Sequence, residues 1–405
     1  MPNSEKRTES LINGVGCSLV DYLYTGIDFS SPRLEQYLSH SPGDGGLVPG
    51  KLVFADKFAE FAGKHYLEAL DDITDGRQPT AANLGGPAIV PLVHAAQLLA
   101  PEGESVRYYG LRGNDTIGET LASFVDKTPV DVSRYEIIDG VTPFTYVLSD
   151  PNYDNGNGER AFINNIGAAY EMVPDVVPDE FFDAPILLYG GTALVPRLHA
   201  RLDELLLRGR AAGKLNVVAT VYDFYNESKN PGGRWPIGSS DDSYPLIDLL
   251  ITDYEEALRL SGSSGAAEAI SFFKEQGVGA VVITHGAKNV HVYAGEESKF
   301  LSLGPIMLPV SEQIGSELAT GAGAAGDTTG CGDNFCGGLI YALAQQYLTQ
   351  GSEKYDLIDA ARWAVVSGGF AGFYVGGTYF EERIAEKRDN LAPYYEAYRS
   401  QISLK

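Results

Sequence analysis

Residues 321 to 338 read Gly-Ala-Gly-Ala-Ala-Gly-Asp-Thr-Thr-Gly-Cys-Gly-Asp-Asn-Phe-Cys-Gly-Gly, and an apolar amphipathic run (Leu339, Ile340, Ala342, Leu343, Tyr347, Leu348) follows at once. A glycine-rich loop running into a helix aims several backbone N–H groups outward at the positive end of the helix dipole. That arrangement binds phosphate. Asp333 stands where this helix should begin. A carboxylate repels phosphate, so a loop built only to grip phosphate has no use for one there. Beside such a grip it makes sense as the acceptor of a proton from a hydroxyl about to attack the phosphate. The competing reading makes Asp333 only an N-cap, and the loop alone does not decide between the two.

The stretch Asp327-Thr-Thr-Gly-Cys-Gly-Asp333 resembles the signature of the ribokinase-like, or PfkB, carbohydrate kinases, usually Asp-Thr-x-Gly-Ala-Gly-Asp, with Cys331 at the alanine position. The resemblance implies that Asp333 is the catalytic base. It also implies that the N–H groups of Gly330, Cys331 and Gly332 form the anion hole for the transferred phosphoryl group, and that Thr328 meets the nucleotide. The fold it implies is α/β: a ribokinase-like, doubly wound, mostly parallel sheet with helices on both faces and a small β-lid. One kinase domain would span 11–405, with lid elements within 18–84 and 138–166.

Bulk properties agree. A chain of 405 residues, 44% hydrophobic and 21% charged, can bury a large core. The net charge of −24 argues against nucleic acid or an anionic membrane as partner. It does not count against ATP gripped locally by backbone and Mg²⁺. Three cysteines (Cys17, Cys331, Cys336) are too few for a disulfide framework and read as small buried residues in a reducing compartment. No N-terminal apolar stretch resembles a signal peptide and no apolar run could span a membrane. The expected location is the cytoplasm.

The elements that must position the loop follow along the chain. After a polar tail to about Ser10, Leu11 to Asp21 reads as a short apolar strand running into glycines and a carboxylate, the pattern of a strand end facing a site. By resemblance Asp21 grips acceptor hydroxyls. Phe54, Phe58, Phe61, Leu67 and Leu70 recur at helical spacing, and the long segment between Asp21 and Asn83 is expected to enlarge the lid or a contact surface. Gly85-Gly86 precedes an apolar helical run, Val90 to Leu99. The family carries Gly-Gly-x-x-x-Asn here, so Gly85 and Gly86 are expected at the substrate. Val90 at the Asn position removes one hydroxyl partner. Asp115, in a block that follows the family's Gly-x-x-Gly-x-Asp-x-x-Gly, reads as a structural turn residue. Residues 142–166 alternate apolar and polar around a turn at 152–158, which predicts a hairpin. The Gly-Glu-Arg step there resembles a lid hairpin, with Arg160 facing the substrate or lying on the surface.

The second half repeats a strand–helix rhythm, with apolar runs at 186–190, 217–221, 249–252 and 280–284. Continuous apolar strands alternating with helices predict a parallel sheet covered on both faces, holding ligands beyond the strand C-termini. Asp253-Tyr-Glu-Glu256 opens a helix, where dipole complementarity alone explains the acids. By resemblance to an Asn-x-x-Glu step, Asp253 and Glu256 lie at the nucleotide, with Glu256 acting on Mg²⁺ through water. Thr284-His285-Gly286 resembles a Thr-x-Gly step, which puts Thr284 and Gly286 against the nucleotide. The six histidines show no metal-ligand spacing, and neither a Gly-x-Ser-x-Gly elbow nor a Gly-x-x-x-x-Gly-Lys-Ser/Thr loop occurs. The 360–377 stretch reads as a small-residue helix entering a glycine turn, where some relatives hold a monovalent cation.

The function expected is an ATP-dependent, Mg²⁺-requiring kinase acting on a hydroxyl of a sugar or sugar-like acceptor, with a homodimer through the lid as the expected assembly. Two alternatives stay open: a nucleoside kinase with an aromatic sandwich drawn from 22–66, and a non-catalytic sugar or nucleotide sensor.

Overall fold

The structure, a computed structural model, describes residues 10–156, 158–321, 328–351 and 353–403. In chain order the strands are β1 (Ile12–Gly16), β2 (Leu19–Thr25), β3 (Leu52–Phe54), β4 (Ala81–Gly85), β5 (Val106–Gly113), β6 (Asp131–Ile138) and β7 (Phe144–Asp150). They continue as β8 (Glu159–Asn165), β9 (Ile186–Gly190), β10 (Leu215–Ala219), β11 (Leu249–Asp253), β12 (Ala280–Thr284), β13 (Asn289–Ala294) and β14 (Leu303–Pro309). Nine of them form one sheet in the order β14-β13-β12-β11-β10-β9-β1-β5-β6. It is parallel from β6 to β12 and antiparallel only at β13 and β14.

Alternation along each central strand feeds two separate cores. Ile12, Ile186, Leu188, Val217 and Val282 point to one face, where helices Ile89–Leu99, Cys331–Gln350, Leu357–Phe370 and Glu386–Ser403 cover them. Val15, Leu187, Tyr189, Val218 and Val281 point to the other, under helices Leu202–Ala211, Tyr254–Ser261 and Ala266–Glu275. Strands buried on both faces need apolar residues at every position, which is why they read as runs rather than alternations. Each fully buried aliphatic side chain contributes about 1.5–3 kcal/mol. Among the described residues no helix is long and apolar enough to cross a membrane.

The remaining five strands form a second sheet, β3-β8-β7-β2-β4. Its hairpin β7–β8 is antiparallel, with Thr145 opposite Asn164 and Ser149 opposite Arg160. The helical spacing read through Phe54 to Leu70 is corrected here. Phe54 belongs to β3, and two helices follow, Ala55–Ala62 and Tyr66–Thr74, because Gly63 caps the first in the left-handed region at φ 65°. The polar tail before Ser10 lies outside the described residues.

Two glycines after the motif set the position of its helix. A Cβ on Gly337 would lie 2.6 Å from the His94 Cβ, and one on Gly338 would lie 2.6 Å from the Trp363 carbonyl oxygen. Only a residue without a side chain lets helix Cys331–Gln350 settle between helices Ile89–Leu99 and Leu357–Phe370 at that separation.

Candidate active site

Helix Cys331–Gln350 begins with Gly330 as its N-cap, at φ 75°. Asp333 is therefore the third residue of the helix and not its cap, and the N-cap reading of Asp333 is corrected. The first helical bond runs from the Asn334 N–H to the Gly330 carbonyl at 2.8 Å. The Gly332 and Asp333 N–H groups precede it and point forward at the dipole's positive end. The Cys331 N–H makes a longer bond, 3.3 Å, to the Thr328 carbonyl. Thr328 and Gly332 are exposed, while Asp333 is partly buried. Burial pushes the Asp333 carboxyl up to about 6, which suits a group that must accept a proton near neutrality. Asp327 and the glycines at 323 and 326 lie outside the described residues.

A second glycine turn supports this loop from below. A Cβ on Gly330 would stand 2.4 Å from the Gly377 Cα, so the two backbones touch where neither residue has a side chain. Asn334 Nδ2 donates to both the Gly330 and Gly377 carbonyls, at 2.9 and 2.8 Å. Asn83 Nδ2 donates to the Val375 and Thr378 carbonyls, at 2.9 and 3.2 Å. Val90, at the position where the family pattern has Asn, is buried and lies beside Gly377.

The lid sheet supplies a polar row. Asn83, Asp21, Thr145 and Asn164 face one another across β4, β2, β7 and β8. All four are at least nine-tenths buried, an uncommon concentration for one strip of sheet. Asn164 Nδ2 donates to Thr145 Oγ1 at 2.9 Å, and the Oδ1 atoms of Asn83 and Asn164 are buried acceptors without a donor among the described residues. Gly85, at the end of β4, makes room for Asp21, since a Cβ there would meet the Asp21 carboxylate at 1.9 Å. Gly86, at φ 117°, packs its backbone on Cys17 and Ser18. Burial pushes the Cys17 thiol well up, and the charges of Asp21 and Asp333 both add to it. The Asp21 and Asp333 carboxylates thus both act electrostatically on one buried sulfur. Arg160, on the same face of the lid by register, donates from Nη1 to the Thr329 hydroxyl at 3.0 Å.

Tyr22, Tyr146, Phe144 and Tyr66 form an aromatic cluster on the opposite face of the lid. Phe54 packs on Phe224, and Lys51 pairs with Glu255 at 2.5 Å, so the long 22–83 segment reaches back over the strand ends.

Asp253 and Thr284 pair in register at the ends of β11 and β12, on the edge where every parallel strand terminates. Asp253 caps helix Tyr254–Ser261, and Glu256 completes a capping box. Glu256 is buried and accepts from Thr220 Oγ1. Burial, then the Asp253 charge, push its carboxyl well above the ordinary range, and burial raises that of Asp253 as well. Gly286 sits at φ 53° in open space. His285 stacks on Tyr254 with ring centroids 4.1 Å apart. Asp115 caps helix Thr116–Val125 and holds Thr142, a structural role as read from the sequence.

Sequence reasoning missed Asn83, Thr145, Asn164, Asn334 and the Gly377 contact. A signal existed for two of them. Period two through 160–164 puts Asn164 on the Arg160 side, and hairpin pairing then selects Thr145.

A sequence profile described as pfkB family carbohydrate kinase matches residues 78–382. The ribokinase of Haemophilus influenzae is 24% identical over 268 residues, 65% of this chain and 74% of that one. The adenosine kinase of Sinorhizobium meliloti superposes with a TM-score of 0.67 at 18% identity, over 94% of this chain and 99% of that one. A protein designated ribokinase II from E. coli, in complex with ATP and Mg²⁺, gives a TM-score of 0.61 at 17% identity, over 97% and 99%. The fold is that of the ribokinase and adenosine kinase structures.

Proposed function

The chain belongs to the pfkB family of carbohydrate kinases, phosphotransferases that act on hydroxyl groups, and from that premise we propose that it moves the γ-phosphoryl group of ATP to a sugar or sugar-like acceptor through Asp333. The observation that carries this is the place of Asp333: beyond the N-cap, in the first turn, with its carboxyl pushed up to about 6. The acceptor hydroxyl gives its proton to the Asp333 carboxylate as its oxygen bonds to the γ-phosphorus, and the bridging P–O bond breaks to release ADP. The N–H groups of Gly330, Cys331 and Gly332 receive the charge on the moving phosphoryl oxygens, each such donor contributing on the order of 10²–10³ in rate. Thr328, Thr284, Gly286 and Asp253 hold the nucleotide side.

Glu256 fits Mg²⁺ only through water. Its carboxylate is already committed to Thr220 and the Asp253 backbone, and no group of three or more His, Cys, Asp or Glu residues among the described ones could hold a metal ion. When bound, Mg²⁺ supplies charge neutralisation on the nucleotide phosphates. A monovalent cation near the 374–377 turn stays part of the proposal, to be read from the K⁺ dependence of turnover.

The row Asn83, Asp21, Thr145 and Asn164 favours an acceptor rich in hydroxyl donors, because the Oδ1 atoms of Asn83 and Asn164 within it are buried acceptors without a donor among the described residues. A nucleoside acceptor is less well served: Tyr22, Tyr24 and Tyr66, from the stretch that would sandwich a base, belong to the opposite face of the lid. That same cluster covers the back of the lid sheet, so a homodimer through the lid would pair by its edges, β3 and β4. We place the chain in the cytoplasm, where ATP and reduced thiols such as its three free cysteines occur.

The test is acceptor-dependent ADP formation across pentoses, hexoses, ketoses, sugar acids and nucleosides. A polyol acceptor is expected to win. Preference for a nucleoside by more than about tenfold would overturn the acceptor class while leaving the chemistry in place.

A further inference from the structure

Lys387 opens the last helix, Glu386–Ser403, yet only 1% of its surface reaches solvent. Its ammonium donates to Asn334 Oδ1 at 3.0 Å, and no carboxylate pairs with it among the described residues. The acid whose charge acts on it, Glu381, spends one oxygen on the Lys387 backbone N–H at 2.8 Å. A buried ammonium without a paired carboxylate is costly.

What it touches is the residue next to Asp333. Asn334 Oδ1 accepts from Lys387, from the Tyr374 hydroxyl at 3.1 Å and from His94 Nδ1 at 2.8 Å. Its Nδ2 donates to the carbonyls of Gly330 and Gly377. The two carbonyl partners fix which end of the amide is oxygen, and the oxygen in turn fixes His94 as an Nδ1–H donor whose Nε2 faces the Ser367 hydroxyl at 2.8 Å. Burial, with the Lys387 charge next, holds the His94 imidazole well below its ordinary range, so it stays neutral. The network has one charge, and that charge is on Lys387.

We propose that Lys387 is a positioning residue for phosphoryl transfer: its ammonium locks Asn334, and Asn334 locks the Gly330 and Gly377 carbonyls that shape the anion hole. This rests on the reading of the 330–333 loop as the phosphoryl site. A charge-assisted hydrogen bond is about twice as strong as a neutral one, so loss of the proton loosens the loop without dismantling it. Burial lowers Lys387 to about 7, with the Glu381 charge pulling the other way. The other groups facing it are His94 from helix Ile89–Leu99, the rings of Tyr374 and Tyr379, and its neighbour Glu386, whose carboxylate accepts from the Tyr379 hydroxyl. Turnover should therefore fall on the alkaline side. Bound nucleotide phosphates favour the ammonium and move that limb upward.

The test measures acceptor-dependent ADP formation and amide hydrogen exchange over 331–334, from about pH 5.5 to about pH 9, in the wild type and in Lys387→Met. Wild-type turnover is expected to fall about tenfold above neutrality, with protection at 331–334 falling in parallel once corrected for intrinsic exchange. The folded variant should turn over about tenfold more slowly at the optimum, keep its acceptor KM within about twofold and lose the alkaline limb. A flat wild-type profile above pH 7, or a variant that keeps the limb, overturns the proposal. If Lys387→Met does not fold, the wild-type pH series decides alone. Lost protection in a chain without any acceptor-dependent turnover would remove the kinase reading, and the positioning role with it, and leave only a charge-dependent lock on the loop. Unchanged protection beside normal kinase turnover would remove the positioning role alone.

Discussion

Arg160 of β8 reaches out of the lid sheet and donates from Nη1 to the Thr329 hydroxyl, 3.0 Å away in the motif loop. One side chain thus ties the five-stranded sheet to the motif loop across 169 positions of sequence. The lid and the loop are ordered against each other by a bond that forms only when both are in place.

Replacing Arg160 with Met keeps the stem packed and removes the donor. A charged hydrogen bond contributes about 1.5–3 kcal/mol, so the acceptor KM should rise by roughly tenfold or more with ATP affinity little changed. Steady-state kinetics with each substrate varied separately will tell. Equal losses for both substrates would mean that Arg160 supports the loop and not lid closure.

Asp333→Asn keeps the shape of the first helical turn; it forfeits the carboxylate's attraction to the dipole, about 0.3–1 kcal/mol, and relieves the desolvation that raises this carboxyl. Turnover should drop by roughly 10²–10⁴, while ATP affinity persists or rises, because a negative charge has left the phosphate's surroundings. Near-normal turnover in a folded variant would reduce Asp333 to a structural residue.

The raised carboxyl of Asp333 also sets a pH dependence. As a base it must be ionised, so kcat/KM should fall as pH drops through about 6. For stability the sign is opposite. The folded-state value lies above the ordinary aspartate value of 3.8, so the native state holds this proton more tightly and its stabilising contribution is lost as pH rises from about 4 to about 6. Thermal melts of the wild type and Asp333→Asn should diverge across that window and run parallel above it. Parallel melts throughout would show that Asp333 is solvated like a surface acid.

Gly85→Ala tests the acceptor pocket apart from the nucleotide. The added Cβ would stand 1.9 Å from the Asp21 carboxylate oxygen, which has to swing away. Acceptor KM should rise by about tenfold or more, ATP affinity should hold, and stability should fall by about 1–3 kcal/mol. A variant that binds acceptor normally would place Asp21 outside the pocket.

Gly330→Ala tests the loop's support. At φ 75°, with a Cβ 2.4 Å from the Gly377 Cα, alanine needs both a strained backbone and a displaced neighbour. We expect a loss of about 1–3 kcal/mol and a fall in turnover exceeding the change in acceptor KM. Calorimetry and kinetics on the same preparation would separate the two effects.

By itself the sequence determined whatever depends on local pattern. The apolar runs at 186–190, 249–252 and 280–284 announced strands buried on both faces, since no polar position interrupts them. The alternation through 142–166 announced the hairpin, and the glycine spacing before Asp333 announced a loop entering a helix. Even so, local pattern put Asp333 at the start of that helix, where an N-cap reading was open; only the left-handed turn at Gly330 set it three residues past the cap. The helical spacing of Phe54 to Leu70 misled for the same reason: periodicity does not register a strand and a left-handed glycine within the run. Tertiary structure alone decided the long-range partners. Asn334 and Gly377 meet across 43 positions, Asn83 and Val375 across 292, and Lys387 and Asn334 across 53. No spacing rule links such pairs, because their proximity comes from how helices pack on a sheet, and a lysine at the head of a polar helix reads as surface until that packing buries it.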